Sequence, residues 1–145
     1  MSKLNCLYTN ATSLNSLKLH ELSSILSIKS PHLILITETW FSDISITSIP
    51  NYILCRKDRT GKGGGVAIYS RNDLNTKELS IIKPIYYEQV WVSIELDHEH
   101  VIVGCIYRPP NAYLDPRIDY EILNNLRLCK KLVDQKKIWR LIDCR

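Results

Sequence analysis

The run Val101-Ile-Val-Gly-Cys-Ile106 constrains the fold of this chain most, because it is apolar without interruption and then changes abruptly to Tyr107-Arg-Pro-Pro110. A short apolar run of this kind suits a strand buried on both faces, so other elements must cover each side of its sheet. Proline has no amide hydrogen and pushes the residue before it toward extended backbone, so pairing has to stop near Tyr107. A phenol and a guanidinium are left at the carboxyl end of a core strand. In layered α/β domains that end is the usual place for a site, the competing reading being a tyrosine that only closes the core.

Leu33-Ile-Leu-Ile-Thr37 is a second run of the same character, and Glu38 follows it directly. Upstream, Leu4 to Thr9 reads as a short strand, Asn10-Ala-Thr-Ser13 as turn and capping residues, and Ser16 to Ile28 as a helix ended by Pro31. A polar loop over Phe41 to Pro50 follows, then strands Tyr52 to Arg56 and Val66 to Ser70 flanking Gly61-Lys-Gly-Gly-Gly65. Val90, Val92, Ile94 and Leu96 alternate with Trp91, Ser93 and Glu95, and Asp97-His-Glu-His100 turns that strand into the Val101 run. Ile118, Ile122, Leu123, Leu126 and Leu132 predict an amphipathic helix, and Lys136 to Ile142 begins one more strand. No repeat or flexible linker interrupts the pattern, so residues 1–145 are expected to form one partial domain.

Composition narrows the function classes. At 45% apolar residues the chain can pack a core, while a net charge of +4 and a pI near 8.8 favour an anionic partner such as nucleic acid. The 19 basic residues are scattered, so charge alone does not define a binding face. Five cysteines, an odd number without a CxxC pair, read as reduced thiols and not as a zinc site or disulfide framework; Cys6, Cys55 and Cys105 lie in strand-like runs. No stretch approaches the ~20 apolar residues of a membrane span, and no signal-peptide pattern opens the chain. The expectation is a soluble intracellular protein with no membrane partner.

Gly61-Lys-Gly-Gly-Gly65 is a turn and not a P-loop, because strand residues follow it where a P-loop opens a helix. His98 and His100 read as solvated turn residues, far in sequence from His20 and His32. Ser13, Ser42 and Cys105 lack a nucleophile elbow or a base partner. Glu38 is different: a carboxylate after an apolar strand is costly unless partnered, and either a divalent cation or a salt-bridged rim position would supply the partner. Asn10 offers an amide that orients a phosphate or a metal-bound water, or else caps a turn. Asn10, Glu38 and Tyr107 each stand at the carboxyl end of an apolar strand, which in a mixed sheet gathers them on one rim.

Four segments in this order, Tyr8-Thr-Asn-Ala-Thr-Ser-Leu14, Ile36-Thr-Glu-Thr-Trp40, Arg56-Lys-Asp-Arg59 with Gly63-Gly-Gly-Val-Ala-Ile-Tyr69, and Ile106-Tyr-Arg-Pro-Pro-Asn111, resemble a known family. They look like the endonuclease/exonuclease/phosphatase domain, specifically the apurinic-type endonuclease of non-LTR (LINE-like) retrotransposons, from about residue 4 to about residue 115. The resemblance implies an α/β fold, part of a four-layer α/β/β/α sandwich with two mixed sheets, incomplete at the carboxyl terminus. It also implies a Mg²⁺-dependent phosphodiesterase that nicks DNA and leaves a 3′-hydroxyl for a downstream reverse transcriptase. By the same resemblance Glu38 holds Mg²⁺, Asn10 helps position metal or phosphate, Tyr107 stabilises the attacked phosphate, and Arg108 and Asn111 contact the substrate.

The chain departs from the family where a Gly-Asp-x-Asn motif is due. Ile142-Asp143-Cys-Arg145 stands at about that interval, with Asp143 the match to the catalytic aspartate but isoleucine and arginine in place of the glycine and asparagine. The family's later aspartate and terminal Ser-Asp-His segment have no counterpart, and all four histidines precede Tyr107. The expectation is therefore the amino-terminal portion of a DNA endonuclease, without efficient nicking of its own. Two alternatives stay open: a nucleic-acid-binding module without chemistry, and a related phosphodiesterase acting on RNA or phosphoinositides.

Overall fold

A computed structural model describes residues 3–80, 82–83, 85–135 and 139–144, the last stretch through its backbone. The elements run β1 (Cys6–Asn10), α1 (Ser16–Lys29), β2 (Leu33–Thr37), β3 (Tyr52–Lys57), β4 (Val66–Arg71), β5 (Asn75–Glu78), β6 (Gln89–Leu96), β7 (Glu99–Ile106), α2 (Pro116–Gln135) and β8 (Trp139–Cys144). Among the described residues they form two sheets, ordered β1-β2-β4-β3 and β5-β6-β7-β8. Each is mixed: β1–β2 and β7–β8 are parallel, and the remaining neighbours are antiparallel.

The uninterrupted apolar runs follow from the layering. Leu33 and Leu35 of β2 point to the inter-sheet core, where they meet Val90, Val92, Val101 and Val103 of the other sheet. Their neighbours Ile34 and Ile36 point the opposite way and pack with Leu19 and Leu26 of α1. On the far side, Trp91, Ile102 and Ile106 are covered by Ile118, Ile122 and Cys129 of α2. Helix, sheet, sheet and helix thus stack as four layers, and each fully buried Ile or Leu contributes about 1.5–3 kcal/mol. Cys105 sits between the sheets, its thiol directed at the Ile36 carbonyl at 3.7 Å.

Several local expectations are corrected. Strand β1 ends at Asn10 and α1 is capped by Asn15, whose Oδ1 accepts from the Lys18 amide at 3.0 Å. Ser30 closes that helix with φ 41° immediately before Pro31. The β6–β7 turn is only Asp97-His98, Asp97 taking φ 38°, so His100 is a strand residue opposite Glu95 and not part of the turn. The connection between β3 and β4 spans residues 58–65 and is longer than a tight turn. Strand β5, polar and mostly exposed, had no hydrophobic signature to announce it and forms through pairing with β6. Cys6 is exposed because β1 is an edge strand. No helix of the described residues is long and apolar enough to cross a membrane.

Candidate active site

Strands β1 and β2 run parallel in register, Asn10 beside Thr37, so their carboxyl ends share one rim. Hydrogen bonding continues past both strands. The Ala11, Ser13 and Leu14 amides donate to the carbonyls of Thr37, Glu38 and Thr39 at 2.9, 2.9 and 2.8 Å. Within this ladder Glu38 and Trp40 take φ 54° and 56°, a left-handed conformation that costs a non-glycine residue about 1–2 kcal/mol. The strain is held from the other side, where the Trp40 amide donates to the Gly64 carbonyl at 3.0 Å. Close approach there requires glycine: a Cβ on Gly65 would lie 2.5 Å from Thr39 Oγ1.

The second sheet contributes from β6 and β7. Glu88, just before β6, is 4% exposed and accepts from Arg59 through Nε at 2.5 Å and Nη2 at 3.3 Å, and from the Gly65 amide at 3.4 Å. Its backbone carbonyl accepts from the Tyr107 amide at 3.1 Å. The Arg59 guanidinium then lies over the Tyr107 ring, 5.5 Å from its centroid. One buried glutamate therefore holds Tyr107 twice, through the main chain and through the arginine that faces its ring.

Burial pushes the Tyr107 phenol above its usual range, and a hydrogen bond to Glu38 together with that carboxylate's charge pushes the same way, against the lowering effect of Arg59. Tyr107 is consequently a neutral donor at physiological pH. The carboxylate thus acts on the phenol from the other sheet, Glu38 following β2 and Tyr107 following β7.

Next to this cluster lies a cavity of about 530 Å³ lined by Tyr8, Asn10 and Thr37 of the first sheet and by Tyr107 and Arg108 after β7, with Asp119 and Ile122 of α2 on its far wall. Asn10 Oδ1 accepts from the Thr12 amide at 3.1 Å and from its hydroxyl at 3.2 Å, so the residue is a turn former as well as a cavity wall. Arg108 makes a paired contact with Asp119 at 2.7 and 3.0 Å, and both side chains are about half exposed. Asn111 lies exposed at the start of a short 3-10 turn, Ala112–Leu114. The backbone of Asp143 pairs with Gly104 in parallel β8, three residues before Tyr107 on the adjacent strand; its side chain, and Arg145, lie outside the described residues.

Residues 4–138 match the model of the Endonuclease/Exonuclease/phosphatase family. The chain belongs to that family. Its fold is similar to the endonuclease domain of TRAS1, a telomere-specific non-LTR retrotransposon, with a TM-score of 0.69 at 18% identity over 97% of this chain. It is also similar to the 3′-5′ exonuclease NExo from Neisseria meningitidis, TM-score 0.59 at 16% identity over 96% of this chain. A third is the AP endonuclease LMAP from Leishmania major, TM-score 0.58 at 13% identity over 81%. The chain spans 57%, 56% and 44% of those three structures. No curated protein sequence gives a match.

As a metal site for this family the described residues offer little redundancy: no three of His, Cys, Asp and Glu gather in one place. The half-buried Glu38 carboxylate is a hard oxygen donor directly after Thr37 of the cavity wall, which suits a Mg²⁺ ion that keeps most of its waters. The histidines stand elsewhere: His98 and His100 at the opposite end of β7, His32 at the opposite end of β2, and His20 exposed on α1. Reasoning from sequence assigned no role to Arg59 or Glu88. The signal was available in Glu88, a charge at the entry of a strand buried on both faces, which demands a partner; nothing local says the partner is Arg59.

Proposed function

We propose that this chain supplies the amino-terminal part of a Mg²⁺-dependent DNA endonuclease of the non-LTR retrotransposon type. The observation that carries the reading is that Glu38 and Tyr107 stand at the carboxyl ends of β2 and β7, one in each sheet, near enough for the carboxylate to act on the phenol, with Tyr107 braced by Arg59 and Glu88. Glu38 would hold Mg²⁺, which when bound polarises a phosphodiester oxygen. Tyr107, held neutral, donates its phenolic proton in a hydrogen bond to the charge that develops on that phosphate. Asn10 and Arg108 line the cavity in which the phosphate sits, Arg108 exchanging part of its contact with Asp119 for the DNA backbone. Asn111 is a peripheral contact to the same strand, and Asp143 is the residue of β8 suited to handle the attacking water. The basic pI agrees with DNA inside the cell as the partner, and the 3′-hydroxyl released would prime a reverse transcriptase.

Among the described residues no histidine stands at this rim to act as general base, and the chain is expected to bind DNA without efficient turnover. The test is a Mn²⁺ titration read by electron paramagnetic resonance, with plasmid nicking in Mg²⁺ alongside. Glu38→Gln should weaken Mn²⁺ binding by at least about tenfold. Unchanged Mn²⁺ binding in that variant refutes the metal assignment, and efficient Mg²⁺-dependent nicking by the parent chain refutes the expected lack of turnover.

A further inference from the structure

A second depression of about 560 Å³ is lined by residues that follow Glu38 and by the connection between β3 and β4; it shares Arg59 with the bracing of Tyr107, and the proposed chemistry does not use its remaining residues. Trp40, 37% exposed as a residue, is part of the lining, and Lys62 projects over its ring with Nζ 5.9 Å from the centroid. Asp43 and Asp58 belong to the same lining, Asp58 paired with Arg56 at 3.5 Å. The floor is the glycine loop: Gly63 takes φ 84°, and a Cβ there would come within 4.0 Å of the indole Nε1, so the loop lies close under the edge of the ring.

Trp40 combines partial exposure with a strained backbone. Trp40 sits at φ 56° two residues after Glu38, and the same ladder that positions Glu38 fixes its backbone, so the direction in which the side chain leaves the chain is set in advance. Charge does not explain the pocket, because Arg59 is engaged by Glu88 and Asp58 by Arg56, which leaves Lys62 and Asp43 as one charge of each sign in the lining. A flat aromatic with a mobile ammonium 5.9 Å from its centroid and carboxylates in the same lining is instead complementary to a nucleotide: the base stacks on the ring as the ammonium moves to the phosphate, and the carboxylates accept from an exocyclic amine.

We propose that the Trp40 depression binds one unpaired nucleotide of the DNA strand adjoining the Glu38–Tyr107 site, stacking its base on Trp40 and favouring bases that carry an exocyclic amine. The inference rests on the nuclease reading for its ligand class, and it names a subsite the reading does not require.

The experiment is equilibrium binding of fluorescein-labelled single-stranded dC and dT decamers to the full chain in EDTA, where nicking cannot occur. Trp40→Ala should weaken dC binding roughly tenfold and Trp40→Phe far less, as loss of one stacked base does. Lys62→Ala should lower the slope of log affinity against log salt by about 0.7, the value for one single-strand phosphate contact. The dC decamer should bind several-fold tighter than dT, and Asp43→Ala with Asp58→Ala, which removes the acceptors, should erase that difference. Equal binding by Trp40→Ala and the parent, with a normal far-ultraviolet spectrum, overturns the subsite, as does failure of the parent to bind either decamer. Failure of Glu38→Gln to alter Mn²⁺ binding while Trp40→Ala still weakens the decamer overturns the metal assignment and leaves the subsite standing.

Discussion

Replacing Gly64 by alanine tests how the site is built, because three independent contributions meet at that position. Gly64 has φ 63°, where alanine costs about 1–2 kcal/mol relative to its preferred regions. The new Cβ would lie 2.5 Å from Glu88 Oε1 and 2.6 Å from Arg59 Cζ, inside van der Waals contact with an ion pair that cannot easily retreat. Forcing a carbon into a packed position of this kind costs typically about 1–3 kcal/mol. Against these, alanine restricts the unfolded chain and returns about 0.4–1 kcal/mol. The net expectation is a loss of about 1–4 kcal/mol, which at a urea m-value of about 1–3 kcal/mol/M moves the unfolding midpoint down by roughly 1 M.

Gly61→Ala is the control, since Gly61 also has positive φ, 101°, but nothing lies within 4 Å of its added Cβ. That variant carries the backbone cost without the collision. Urea unfolding followed by tryptophan fluorescence should rank parent above Gly61→Ala above Gly64→Ala. The gap between the two variants measures the collision with the Arg59–Glu88 pair. Equal midpoints for the two would refute the idea that Gly64 is required for packing against that pair.

Glu88→Gln removes the charge that faces Arg59 in a nearly dry setting; because Arg59 keeps a third of its side chain in solvent, the expected loss is about 1–3 kcal/mol by the same urea assay, and no loss would mean the pair is not a brace. Burial pushes the phenols of Tyr69 and Tyr107 up, so the folded chain retains those protons where the unfolded chain releases them. Stability is therefore unaffected by these groups below about pH 10 and declines as pH rises from there toward the folded-state values; ultraviolet difference absorbance should show both ionising after the exposed tyrosines, and a single common titration would contradict this. Thiol labelling under native conditions should modify exposed Cys6 first and buried Cys105 and Cys129 only on unfolding, mapped by mass spectrometry of the peptides; early modification of Cys105 would argue that the sheets do not pack as described.

The amino-acid sequence by itself determined the elements whose physics is local. Leu33–Thr37 and Val101–Ile106 are strands buried on both faces because no polar residue interrupts them, and Pro109 and Pro110 end the second where Tyr107 is left at a rim. It also determined that Asn10, Glu38 and Tyr107 stand at strand ends, and their order with the intervening motifs was enough to indicate the family. What it did not contain is which groups face one another across the two sheets. The left-handed backbone of Glu38, the hydrogen bonds that carry the β1 and β2 ladder onward, and the reach of Arg59 to Glu88 are products of packing between segments far apart in the chain. A buried carboxylate announces that it needs a partner, but only the folded geometry chooses it, because the desolvation cost is local and the compensating contact is not. The same distinction applies to Trp40: its residue type is visible in the sequence, while the open ring above the glycine loop exists only once two strained connections are tied together.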